Sequence, residues 1–256
     1  MSILERKILS KANIMGVGFD AVTLKEAVDR AMAQLKEGRK GYVVTPNPEI
    51  VYLAMEDKSY CELVNGASLV LPDGIGIIYA AKILGEKLCG KVAGIDFASS
   101  LMHAMAQNGM RLFLLGAKPG VAEQAAKNLT QKYPGLIITG TRDGYFKDDS
   151  EAVDVVNAAG GADVLFVCLG APKQERFIKA HLDEMNVTLC CGLGGSLDVF
   201  AGTVQRAPDI FIKLGLEWFY RLLKEPSRIG RMMKLPKFLL LVIKERLFGG
   251  RKKEKK

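Results

Sequence analysis

Four short loops in this sequence carry the residue types that can move a proton or hold an anion: Thr45-Pro46-Asn47, Pro72-Asp73-Gly74, the run Gly170 to Glu175, and Gly192 to Asp198. Each follows a short apolar run, and in a parallel sheet such strand ends meet along one edge, so residues far apart in sequence can share a cleft. Asp73 is the leading candidate for chemistry, because a carboxylate at such an edge can take a proton from a substrate hydroxyl. Its competing reading is the N-cap of the helix that follows. Thr45 fits either a site or an ST-turn beside Pro46, and Gln174 either a site or a solvated helix position. Gly194, Gly195 and Ser196 precede a helix and can cradle a diphosphate through backbone N–H groups, with Asp198 placed to hydrogen-bond a ribose or to cap that helix. A tight glycine turn is the plainer reading of the same residues.

Several chemistries are excluded by what is missing. The two histidines, His103 and His181, have no second His or Cys at metal-ligand spacing, so no metal site is expected. Neither a G-x-S-x-G elbow nor a G-x-x-x-x-G-K-[ST] loop occurs, which argues against a hydrolase triad and a P-loop nucleotidase. Gly16-x-Gly18 and Gly74-x-Gly76 are weak dinucleotide patterns. A nicotinamide-dependent oxidoreductase stays open as an alternative, although it wants an acidic residue at the end of the second strand and Tyr42 to Thr45 ends without one. No cofactor is expected. The five cysteines form no C-x-x-C and are odd in number, which suits reduced, buried thiols in a cytosolic compartment.

Positioning these loops requires a sheet. Of the 256 residues 49% are apolar and 25% charged, enough apolar content for a sizeable core. Strand and helix patterns alternate from Ile14–Phe19, the first expected strand, through the helix capped by Thr23, to the strand Val187–Cys191. The expected fold is α/β, a Rossmann-like, largely parallel sheet covered by helices over residues 1–202. A basic helical C-terminal appendage follows over 203–248, with one helix expected over Ile210–Leu223 and more helix from Arg228 to Phe248, and then a disordered basic tail over 249–256.

Charge separates the two parts. From Thr203 onward fifteen Lys/Arg meet five Asp/Glu, which puts +10 on the tail and −2 on the rest of a chain whose formal charge is +8. Basic residues there alternate with Trp218, Phe219, Leu222, Leu223, Met232 and Met233. This pattern suits an anionic membrane surface, and Phe238–Ile243 suits a segment lying among headgroups. The other reading is a helical cap on the sheet with a solvated basic face. Nucleic acid is the less fitting partner for so apolar a basic tail. The N-terminus lacks a long apolar run and nothing approaches about 20 apolar residues in a row, so the expected location is cytoplasmic, peripheral on the inner face of the cell membrane.

The ordered motifs Thr45-Pro46-Asn47, Leu71 to Gly74, Val92 to Asp96, Gly170 to Glu175, Gly192 to Gly195, Arg206-Ala207-Pro208, Gly215 to Arg221 and Glu225 to Arg228 resemble the WecG/TagA/CpsF glycosyltransferase family, over about Met15 to Arg231. The likeness is strongest to its TagA branch. It implies inverting, metal-independent transfer of N-acetylmannosamine from UDP-N-acetylmannosamine to the 4-hydroxyl of GlcNAc on undecaprenyl diphosphate, in wall teichoic acid linkage-unit synthesis. Related UDP-sugar donors, the uronic acid or glucose, stay open. The resemblance implies Asp73 as base with Thr45 near the reacting groups, and Tyr145, Gln174 and Asp198 as contacts to the nucleotide sugar; Asn47 and the loop residues Gly194, Gly195 and Ser196 are expected substrate contacts beside them. It also implies that the appendage docks on the membrane and completes the site with Arg221, Arg228 and Arg231, and a homo-oligomer off the membrane is a further expectation. One departure is Lys91, where relatives carry arginine: a point charge replaces a bidentate fork at an expected phosphate contact.

Overall fold

A computed structural model describes residues 11–224, 226 and 229–248. The chain opens with an antiparallel hairpin of β1 (Lys11–Ile14) and β2 (Val17–Asp20), turned through Met15 and Gly16 at φ 54° and 92°. Positive φ at both turn residues matches the twist of the two flanking strands. The single strand expected over Ile14–Phe19 is therefore a correction: the run contains the turn. Thr23 caps α1 (Leu24–Lys36) as expected, in a capping box with Glu26.

The main sheet is six-stranded and parallel in the order β4-β3-β8-β7-β5-β6, from β3 (Gly41–Val44), β4 (Leu69–Val70), β5 (Arg111–Gly116), β6 (Ile137–Arg142), β7 (Ala162–Cys168) and β8 (Val187–Gly192). Its inner strands are apolar on both faces, as a helix-covered sheet requires. Val44, Val70, Leu115, Val167 and Cys190 face one side, where α2 (Pro48–Glu56), α3 (Lys58–Asn65), α4 (Ile75–Leu84), α7 (Asp149–Ala158) and α8 (Lys173–His181) pack. Val43, Leu69, Leu114, Phe166 and Cys191 face the other, under α1, α5 (Gly94–Gln107), α6 (Val121–Lys132) and the short α9 (Ser196–Phe200). Cys168, Cys190 and Cys191 are buried free thiols, and burial pushes the first two up to about 12, which keeps them unreactive.

Strand order creates the cleft. β3 and β8 are neighbours, yet β3 is followed by α2 on the first face and β8 by α9 on the second. Two chains leaving to opposite sides open a crevice at the carboxyl edge between them.

The C-terminal segment forms four helices, α10 (Asp209–Lys213), α11 (Glu217–Lys224), α12 (Ile229–Met232) and α13 (Lys234–Phe248). The helix expected over Ile210–Leu223 breaks at Gly215, whose φ of 71° lies outside any right-handed helix, and only glycine fits there, since a Cβ would meet Ile75 Cγ1 at 2.9 Å. Pro236 sits in the first turn of α13, where its missing N–H costs no intrahelical bond. Phe238 and Val242, one turn apart, are fully buried in the first-face core, while Leu240 is 67% exposed. The apolar run Phe238–Ile243 thus divides by face: one side closes the core and the other looks outward. Residues 249–256, expected to be disordered, lie outside the described residues.

Phe238→Ala should therefore cost about 3–5 kcal/mol in urea unfolding, the usual range for emptying a large buried aromatic site. Leu240→Ala should stay within about 0.5 kcal/mol. Equal effects of the two substitutions would mean that α13 is not part of the core.

Candidate active site

The Pro72-Asp73-Gly74 loop leaves β4 with its backbone tied on both sides. Asp73 N–H donates to Pro46 O at 3.2 Å and Val92 N–H to Pro72 O at 2.8 Å. These bonds align the loops after β4 and β3 with the start of α5. Asp73 does not cap the helix that follows it, since Gly74 is the N-cap of α4 and makes no side-chain cap. Its Oδ2 instead accepts from Gly94 N–H at 3.2 Å, so the carboxylate sits at the amino end of α5, where the helix dipole favours negative charge. The N-cap reading of Asp73 is corrected to this extent: the carboxylate serves a different helix start.

Thr45 lies beneath this contact. It is buried, its Oγ1 donates to Gly192 O at 3.3 Å across the β3/β8 crevice, and a Cβ on Gly94 would come within 3.0 Å of that oxygen. Glycine at 94 lets α5 begin this close to the sheet. Asn47 spends its Oδ1 on Ile50 N–H at 3.0 Å, capping α2 with Pro48 at the first helical position.

The glycine loop after β8 is held from below. Gln174 and Glu175 are 2% and 1% exposed. Gln174 Oε1 accepts from Gly194 N–H at 2.9 Å, and its Nε2 donates to Glu175 Oε1 at 2.6 Å, while Tyr60 donates its hydroxyl proton to Glu175 Oε2 at 3.0 Å. The carboxylate accepts only, so it orients the amide and turns its oxygen toward the loop. Gln174 is thus a buried support of the loop, and neither Glu175 nor Tyr60 was singled out by spacing; an acidic residue beside Gln174 in a helix with two apolar neighbours was the available signal. Ser196 Oγ donates to Leu193 O at 2.8 Å, and Asp198 stands in the first turn of α9 with its carboxylate about 3.7 Å from where a Cβ on Gly195 would be.

These loops enclose a cleft of about 210 Å³, lined by Asn47, Asp73, Lys91, Gly94, Gly195 and Ser196, with Glu217 and Trp218 of α11 and Leu235 of α13 along its tail side. Gly76 permits that closure, since a Cβ there would meet Leu235 Cδ1 and Pro48 Cγ, each at 2.6 Å. Ion pairs cross the same boundary. Lys234 Nζ lies 3.2 Å from Glu49 Oε1, and Lys91 Nζ lies 3.4 Å from Glu217 Oε2. Arg206 grips Asp96 of α5 in a two-pronged pair at 2.6 and 2.8 Å. That pairing, with Glu217 and Asp73 nearby, raises the guanidinium further into its charged form. Arg206 and Asp96 were visible in sequence only as parts of motifs.

The structure therefore brings Asn47, Asp73, Lys91, Gly195 and Ser196 to one cleft and places Thr45, Gly194 and Gln174 just behind its wall. Tyr145 stands apart, 67% exposed after β6, with its N–H donating to Asp143 Oδ1 at 2.8 Å. Arg228 lies outside the described residues, and of Arg221 and Arg231 only the backbone, in α11 and α12, is described.

The profile of the glycosyl transferase WecG/TagA/CpsF family matches residues 12–252. The chain belongs to that family. Relatives named N-acetylglucosaminyldiphosphoundecaprenol N-acetyl-beta-D-mannosaminyltransferase include one from Bacillus spizizenii, 40% identical over 82% of this chain and 81% of its own. Another from Bacillus subtilis is 38% identical over 79% of each chain, and one from Staphylococcus aureus is 36% identical over 95% of this chain and 96% of its own.

The buried Glu175 carries a pH signature. Burial pushes its carboxyl up, so the folded chain holds that proton more tightly than the unfolded one. The stability this contributes is full below the ordinary glutamate value of about 4.3 and is lost as pH rises through the raised folded value. Urea unfolding between about pH 4 and 7 should show the parent losing stability relative to Glu175→Gln as pH rises; a constant difference would mean the carboxyl titrates normally in place.

Proposed function

We propose that this protein transfers N-acetylmannosamine from UDP-N-acetylmannosamine to the 4-hydroxyl of GlcNAc on undecaprenyl diphosphate, with inversion and without a metal ion. The observation that carries the reading is the Asp73 carboxylate, half-buried at the crevice, anchored by Gly94 N–H and facing a cleft bordered by the Gly195-Ser196 helix start. Inverting transfer needs a base on the acceptor side. Asp73 takes the acceptor hydroxyl proton while the oxygen bonds the anomeric carbon and the bond to the diphosphate breaks, leaving Asp73 protonated and the electron pair on UDP. The leaving charge is met by the Gly195 N–H at the start of α9, whose neighbours Gly194 and Ser196 already donate to Gln174 Oε1 and Leu193 O, and by Lys91, with the tail arginines Arg221, Arg228 and Arg231 adding to the same field. Thr45 holds the β3 and β8 loops in register beneath the reacting groups.

The relatives, all named as N-acetyl-beta-D-mannosaminyltransferases of N-acetylglucosaminyldiphosphoundecaprenol, support both sugar and acceptor. Such an acceptor sits in a membrane, and no described helix is long and apolar enough to cross one. In this reading the exposed apolar residues Ile210, Leu214, Leu223 and Ile229 meet the inner membrane surface together with the basic residues of the tail.

Asp73→Asn keeps an oxygen for Gly94 N–H but cannot take a proton. UDP release from UDP-N-acetylmannosamine and a GlcNAc-diphospho-lipid, measured with EDTA present, should fall by about 10²- to 10⁴-fold, with UDP binding retained. Full activity in the variant would remove Asp73 from the chemistry, and loss of parental activity in EDTA would remove metal independence.

A further inference from the structure

Glu217 is an acidic residue in a place that the proposed chemistry reserves for an anion. It begins α11, lines the cleft, and its side chain is only 17% exposed. Its two carboxylate oxygens reach two different cations: Oε2 lies 3.4 Å from Lys91 Nζ, and Oε1 lies 4.0 Å from Arg206 Nε. Neither contact is short. Charge-assisted N–H···O bonds run at about 2.7–2.9 Å, as the Arg206–Asp96 pair does. The Arg206 Nε–H is moreover buried with no hydrogen-bond acceptor among the described residues. A buried donor left unmade costs free energy, and an anion larger than a carboxylate would satisfy it. A diphosphate would offer two negative groups to this cation pair where Glu217 offers one.

We propose that Lys91 and Arg206 form the subsite for the diphosphate of the nucleotide donor, and that Glu217 occupies this subsite as an internal stand-in until the donor displaces it. The inference rests on the proposed function for its ligand class, a nucleoside diphosphate, and goes beyond it in naming Arg206 as a binding residue and Glu217 as its competitor. Asp96 keeps its bidentate hold on the other edge of the guanidinium, so Arg206 stays in place when Glu217 leaves. Displacement lowers apparent donor affinity, because only the fraction of molecules with Glu217 withdrawn is ready to bind. It also brings donor entry to the first turn of α11, since withdrawal of the Glu217 side chain changes the surroundings of Trp218, the next residue of that turn and part of the cleft lining. In the absence of donor the same pairing gives Lys91 a counter-charge in a partly buried site, while Arg206 keeps Asp96 as its own.

The test is a UDP titration of the full chain, read by calorimetry and by the emission of Trp218, the single tryptophan of the sequence. Glu217→Gln should bind UDP between about 5- and 100-fold tighter than the parent, the span of a typical coupling between competing ligands. Lys91→Gln in the Glu217→Gln background should lose most of that gain, and the Trp218 emission change on UDP addition should shrink once Glu217 is gone. Unchanged or weaker UDP binding by Glu217→Gln overturns the proposal, weaker binding being what a residue that merely clamps α11 to the body would give. A gain that survives in full in the double variant overturns it as well. Failure of the parent to bind UDP at all would take down the nucleotide donor of the proposed function, and the subsite with it.

Discussion

The adjacency of β3 and β8 is the constraint on which the rest of this molecule depends. Because the chain leaves β3 toward one face of the sheet and leaves β8 toward the other, the connections part at the carboxyl edge between them, and the crevice is a consequence of strand order. Every functional group described above is reached from that edge. Thr45 crosses it to Gly192, Asp73 leans over it from β4, and Gln174 supports the loop that leaves its far side. A different position for β8 would leave these residues intact and the site scattered.

The charges at the edge are arranged as a set of linked pairs. Asp73 answers the amino end of α5, Asp96 in the same first turn answers Arg206, and Arg206 approaches Glu217, which meets Lys91. Partly buried charges are tolerable when paired, and the Asp96–Arg206 and Lys91–Glu217 pairs join segments more than a hundred residues apart. The pairs therefore do two jobs at once: they stabilise charged groups away from bulk water, and they bind the C-terminal helices to the body beside the cleft. Glycines make this possible sterically. Gly94, Gly76 and Gly215 each allow an approach that a methyl group would block, against Thr45, Leu235 and Ile75 respectively.

Much of the fold was legible because parallel strands announce themselves as short apolar runs closed by Pro, Gly or Asn, and helices by caps such as Thr23 with Glu26. The hairpin at Met15-Gly16 was not, since Met15 is an unusual residue at positive φ, a lone Gly16 inside an apolar run is a weak turn signal, and the apolar pattern runs straight through it. The helix pair α10 and α11 read as one because Gly215 interrupts an otherwise continuous amphipathic pattern, and a glycine's φ is set by what packs against it. Phe238 and Val242 had the composition of a lipid-facing run; only the neighbouring helices made them core.

The sequence by itself determined the menu of the site: which loops follow strands, that Asp73 and the Gly192–Ser196 run stand at such ends, that the positive charge belongs to the last fifth of the chain, and the family to which the motifs belong. Those are properties of residue type and local order, and they survive any arrangement of the strands. Tertiary structure alone decided who meets whom. It gave Asp73 to Gly94 instead of its own helix, placed Gln174 on Glu175 and Tyr60 beneath the loop, and set Glu217 between Lys91 and Arg206. Contacts such as Asp73–Gly94, Tyr60–Glu175 and Lys91–Glu217, 21 to 126 residues apart, are chosen by strand order and helix packing, and local sequence carries no direct record of either.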